Sequence, residues 1–133
     1  MIARRLAPLT EGAYALMRIL TGLMFSVHGL QKVFGVLGGN VPEVGSQIWI
    51  GGVIELVGGV LIAVGLFTSW AAFLSSGTMA VAYAQFHWKF AGGTQLIPVI
   101  NKGELAAVYA VVFLYIACKG GGACSIDGGR SRS

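Results

Sequence analysis

The stretch I-W-I-G-G-V-I-E-L-V-G-G-V-L-I-A-V-G, Ile48 to Gly65, decides how this chain folds. It holds one charged residue, Glu55, in a run about as long as the ~20 helical residues needed to cross a ~30 Å hydrocarbon core. Gly51, Gly58 and Gly65 recur every seven residues, with Glu55 on the same stripe, while Val53, Val57, Val60 and Val64 point the other way. Small residues on one face let helix backbones approach each other in a membrane. The stripe therefore predicts a spanning helix packed by its glycine face, with a carboxylate turned toward the protein interior.

The rest of the 133-residue chain agrees, with 56% hydrophobic residues and only 11% charged, against roughly 25% charged in an ordinary soluble domain. The mean hydropathy is +0.78. Four apolar segments are long enough to span, roughly residues 13–37, 48–67, 70–90 and 103–119. The second and third are joined by only Thr68 and Ser69, which predicts a tight antiparallel pair. No fixed-period repeat and no second domain is visible, so residues 1–133 read as one domain, with 120–133 as a flexible Gly- and Ser-rich cytoplasmic tail. The fold class predicted is all-α: an integral membrane four-helix bundle, antiparallel up and down.

The net charge of +4 is not a nucleic-acid signal, because basic residues are not interleaved with aromatics along one surface. They cluster beside segment ends. Arg4, Arg5, Lys119, Arg130 and Arg132 fall on one side, and positive-inside counting makes both termini cytoplasmic. The basic start M-I-A-R-R is not read as a signal peptide, since the apolar run after it is too long and is interrupted by Arg18 and His28. Cys118 and Cys124, spaced C-x5-C, match neither a thioredoxin-type pair nor half a zinc site.

In the first span, at about 100° per residue, Arg18, Gly22, Phe25, His28, Gly29 and Lys32 share one third of the circumference. Ile19, Leu20, Leu23, Met24, Val27, Leu30 and Phe34 cover the opposite side. In the third span Ser76, Ala80, Tyr83 and His87 form a stripe, and in the fourth Glu104, Ala107, Val108, Val111, Tyr115 and Cys118 align. At 1.5 Å per residue, His28 and Glu55 lie roughly 10–14 Å below the outer surface, with Lys32, His87 and Glu104 shallower. Intramembrane ionisable groups face the bundle interior and pair with one another. His28, Lys32, Glu55, His87 and Glu104 are thus expected to line a polar pocket in the outer half of the bundle, with His28–Glu55 as the first pair expected and Lys32 with Glu55 or Glu104 the next.

A structural ion-pair clamp is one reading of this group. A quinone or small-anion site with a proton path is the sharper one, since histidine titrates near neutral pH and can donate to a quinone oxygen. A haem held by His28 and His87 is disfavoured because the two differ in depth by about 5–9 Å, and no metal site has diagnostic spacing. The alternatives from other classes are a non-catalytic scaffold for soluble partners and a small-molecule carrier. Arg18 is expected to pair with a lipid phosphate or with Asp127.

The pattern R-x-x-x-G-x-x-F-x-x-H-G-x-x-K-x-F-G, at Arg18 to Gly35, is followed by G-G-V-I-E-L-V-G-G around Glu55, by N-x-G-E-L at Asn101 to Leu105, and by G-x-x-S-I-D ending at Asp127. Four motifs in this order, covering nearly the whole chain, resemble the DoxX family of small four-helix bacterial membrane proteins. The family's tail carries a glycine-proline-glycine turn before the serine, where this chain has Gly120-Gly121-Gly122-Ala123-Cys124. The resemblance implies a multi-pass protein of the bacterial inner membrane. It implies association with soluble or membrane redox partners, because the family takes its name from members associated with a thiosulfate:quinone oxidoreductase of the membrane. Neither a dinucleotide fingerprint nor an Fe–S cysteine set is present, so an electron carrier would come from quinone or a partner.

Overall fold

The computed structural model describes residues 1–130, which are helical and contain no strand. A short helix α1 (Ile2–Leu6) and a 3₁₀ turn at Ala7–Leu9 run into α2 (Thr10–Phe34). Then come α3 (Gln47–Val64), α4 (Thr68–Ala82) continued by a π-helical segment at Tyr83–Trp88, α5 (Pro98–Asn101), α6 (Glu104–Lys119) and α7 (Ile126–Arg130).

Local chemistry sets the ends. Gly35 (φ 68°) and Gly65 (φ 71°) close α2 and α3 in the left-handed conformation that glycine adopts without strain. These two glycines end the first and second apolar segments three residues earlier than hydropathy alone predicts. At the other end of α3 the Ser46 hydroxyl accepts from the Trp49 N–H at 3.2 Å, an ordinary N-cap. The stretches Ile2–Phe34 and Gln47–Val64 are long and apolar enough to cross a membrane. Of the four expected spans these two reach that length, while α4 and α6 have 15 and 16 residues.

α2 packs along α3, α3 on α4, and α4 along α6. The α2–α3 contact is made by glycines. A Cβ on Gly22 would lie 2.7 Å from the Gly59 carbonyl oxygen and the Ala63 nitrogen, and one on Gly59 would lie 2.5 Å from the Gly22 oxygen and the Ser26 nitrogen. The face of α3 differs by one position from that expected. Gly52 and Gly59 meet α2, Gly58 meets Ser75 of α4, a Cβ on Gly51 would meet nothing within 4 Å, and Gly65 is the turn. A helix with partners on two sides needs adjacent glycine pairs, not one stripe.

Phe25, Tyr109 and Phe113 stack at the centre with ring centroids 4.8–5.3 Å apart, joined by Ile62 and Ile116. Leu20, Leu23, Met24, Val57, Val60 and Val64 are exposed, on the faces predicted to point away. Apolar surface on this scale marks contact with lipid or protein rather than water.

The segment after α6 is docked, which corrects the expectation of a flexible tail. Arg18 is fully buried. Its Nη1 donates to the carbonyls of Ile62 and Ala63 at 2.7 and 2.6 Å, and its Nη2 to those of Ala123 and Cys124 at 3.2 and 2.7 Å. Its partners are backbone oxygens in place of the expected lipid phosphate or Asp127. The Asp127 carboxylate instead accepts from the backbone N–H of Phe67 (3.1 Å) and from the N–H and hydroxyl of Thr68 (2.8 and 2.7 Å). It caps α4 from 59 residues away, which starts that helix earlier than predicted. Tyr14 donates to the Gly120 carbonyl, and Lys119 pairs with Glu11 at 2.7 Å. The last three residues of the expected tail, 131–133, lie outside the described residues.

Burial pushes the Asp127 carboxyl up, but the donors of Thr68 and Phe67 and the charge of Arg130 outweigh it and hold the group below the ordinary carboxylate value. A carboxyl lower in the folded than in the unfolded chain stabilises above the unfolded value, and the contribution fades as pH falls through the folded one. Asp127→Ala should cost about 1 kcal/mol near pH 7, the usual loss of an N-cap. Thermal melts of the detergent-solubilised protein should show the difference from the parent shrinking below about pH 4. A gap independent of pH would refute the assignment.

Candidate functional site

A cavity of about 430 Å³ opens between α2, α3, the α4–π segment and α6. His28, Lys32, Glu55, His87, Lys102 and Tyr109 give it polar walls, and Phe25, Met79 and Ala82 give it apolar ones. Ile48, Phe86 and Leu105 also line it and are themselves exposed, so its rim joins the apolar outer surface.

Lys32 Nζ donates to Glu55 Oε1 at 2.6 Å. Gly52 gives the lysine its path to the carboxylate. A Cβ at Gly52 would sit 2.6 Å from Lys32 Cβ and 3.4 Å from its Cδ. The lysine stem therefore lies across the bare backbone of Gly52 and delivers its ammonium to the residue one turn further along α3. The Glu55 side chain is 4% exposed and that of Lys32 35%, so the pair runs from the interior toward the cavity. His28 stands edge-on to Tyr109, ring centroids 6.4 Å apart, in place of the expected pair with Glu55.

His87 reaches the cavity through the π-helical turn. There Lys89 N–H bonds the Ala84 carbonyl at 2.8 Å, a five-residue step that rotates the side chains away from α-helical register. Ala80, in the regular α4 before that turn, is exposed, so the expected stripe does not form one inward face. His87 Nδ1 lies 3.4 Å from the Asn101 carbonyl oxygen. Asn101 anchors this corner, donating to Tyr83 Oη at 3.0 Å and to the Gln95 carbonyl at 2.9 Å while accepting from Gly103 N–H at 2.8 Å.

Glu104 is exposed at the start of α6 and does not line the cavity. The stripe containing Val108, Val111 and Tyr115 faces outward, and the inward stripe is Ala106, Tyr109, Phe113 and Ile116. That second set has the same helical spacing and is equally readable. Two apolar stripes on one helix cannot be ranked without knowing its neighbours. Gln47, Thr78, Lys102 and Tyr109 are the polar cavity residues that sequence reading missed. Lys102, in the left-handed conformation (φ 60°) just before α6, had no signal beyond its place in N-x-G-E-L.

Apolar outer faces around a cavity that holds an ion pair and two histidines define an α-helical membrane protein with an ionisable internal site. The chain belongs to the DoxX family, whose sequence profile matches residues 13–88. It is 42% identical over 118 residues to an uncharacterised protein of Haemophilus influenzae, covering 85% of this chain and 87% of the relative. It is 27% identical over 117 residues to "Putative oxidoreductase CatD" of Bacillus subtilis, covering 84% and 82%. No solved structure matches it.

Proposed function

We propose that the chain is a multi-pass inner-membrane subunit that supports quinone-linked redox or oxidative-stress chemistry through this cavity. In this reading α2, α3, α4 with its π segment, and α6 are four antiparallel spans. Both termini are cytoplasmic, as the clustering of Arg4, Arg5 and Lys119 favours, and the cavity lies in the outer half. An alkaline phosphatase fusion at the C-terminus should then be inactive.

The carrying observation is the Lys32–Glu55 pair set beside His28 and His87 in a cavity whose rim is apolar. The volume suits a single aromatic ring with part of its substituents. A lipid-soluble ring could enter past Ile48, Phe86 and Leu105. Lys32 and His28 would donate to a ring oxygen, and Glu55, ionised in its pair with Lys32, would hold the ammonium and accept a proton from a ring hydroxyl. The similarity to a protein named as an oxidoreductase supports the redox class. Electrons would come from a soluble or membrane partner.

The test is quinone content. Protein purified in mild detergent should carry more quinone in its organic extract than a control membrane protein of equal hydrophobic area. Lys32→Ala should lower affinity for a short-chain quinone about 10-fold or more, the worth of one charge-assisted hydrogen bond. Control-level quinone together with no saturable binding would sink the proposal.

A further inference from the structure

The oxygen of Glu55 that Lys32 does not use is the most telling atom in the wall of the cavity. Glu55 is 3% exposed, and its Oε2 is buried with no hydrogen-bond partner among the described residues. Tyr109, also 3% exposed, faces the same cavity, and its hydroxyl is likewise unpartnered. An ionised carboxylate oxygen accepts hydrogen bonds and cannot donate them, whereas a tyrosine hydroxyl does either.

A quinone offers carbonyl oxygens, which only accept. One placed against Glu55 Oε2 would set two acceptors face to face. A hydroquinone offers O–H groups. One such group can donate to Glu55 Oε2 while its oxygen accepts from the Lys32 ammonium, so the ion pair forms a donor and acceptor couple matched to a hydroxyl. The Tyr109 hydroxyl can complete the set with either form.

We infer that the cavity binds the reduced, hydroquinone form of its ring ligand in preference to the quinone, with Glu55 Oε2 as the atom that tells them apart. The inference rests on the proposed quinone site and goes beyond it by assigning the redox state that the site selects. Satisfying a buried acceptor rather than opposing it should be worth roughly a tenfold difference in affinity or more. For a two-electron couple a tenfold preference for the reduced form raises the potential of the bound couple by about 30 mV.

The experiment is anaerobic calorimetric titration of the full chain in mild detergent with a short-chain benzoquinone and, separately, with its hydroquinone. The hydroquinone should bind at least about tenfold more tightly. Glu55→Gln, which can present an amide N–H at that position, should abolish or reverse the ratio. Tyr109→Phe should weaken both forms and leave the ratio nearly intact. Equal binding, or tighter quinone binding, overturns the inference while leaving the quinone site standing. A preference that survives in folded Glu55→Gln overturns the role of Glu55. Binding of neither form overturns the site and the inference together. Should Glu55→Gln fail to fold, the ratio for the parent chain decides alone.

Discussion

Arg18→Ala should destabilise the protein by about 3–5 kcal/mol, the combined loss of several charge-assisted hydrogen bonds and of the packing of a fully buried side chain. The guanidinium reaches four backbone carbonyls on two segments distant in sequence, the end of α3 and the Gly-rich turn before α7. Alanine would take a donor from all four oxygens, of which that of Ile62 keeps the Gly65 N–H at 3.2 Å, and open a space where the side chain was. The loss should be concentrated in the C-terminal segment, so limited proteolysis should cut within residues 120–130 well before the parent is cut. Arg18→Lys should recover little. An ammonium is a point donor on a flexible stem and cannot reproduce a planar fork that serves both segments at once. A near-parental melting temperature for Arg18→Lys would show that charge alone, without the fork geometry, holds the tail.

The second large effect belongs to Gly29. In an exposed helix Gly→Ala stabilises by up to about 1 kcal/mol, and Gly77→Ala in α4, where a Cβ would meet nothing within 4 Å, should behave that way. At Gly29 the sign should reverse. A Cβ there would lie 2.6 Å from the Gly52 carbonyl oxygen and from Leu56 Cα, backbone atoms that cannot rotate away. The helices must separate, at a cost of about 1–3 kcal/mol for alanine and more for leucine. Separation also lifts Lys32 off Gly52, so the Lys32–Glu55 pair should loosen and any ligand affinity fall with it. Stability measured by SDS titration, with Gly77→Ala as the control, tests the contrast. A stabilising Gly29→Ala would mean that α2 and α3 are not in glycine contact.

Much of the candidate site is legible in the sequence because membrane sequences are simple. Where nearly every residue is apolar, each charge must face inward, so residue type and helical position alone mark His28, Lys32, Glu55 and His87 as cavity residues. Glu104 fails the same logic because it sits at a helix start, where an exposed carboxylate costs nothing. Its neighbours Lys102 and Tyr109 escape notice because a loop lysine and a tyrosine among apolar residues carry no signal of their own.

Hydrophobic content, the helical period and the glycine spacing belong to the sequence by itself, because each follows from the ~30 Å thickness of the bilayer, the 3.6-residue turn and the absence of a side chain. They determined an all-helical chain, its main apolar segments and the face of α2 that turns inward. The tertiary structure alone decided which partner each polar group took. Lys32 won Glu55 because Gly52 clears a path for its stem, and Asp127 found the start of α4 across 59 residues. Arg18 drew in a segment that composition reads as loose tail, because a buried guanidinium must meet oxygens wherever the fold brings them. Helical periodicity is local, whereas the satisfaction of a buried charge is a property of the whole packed molecule.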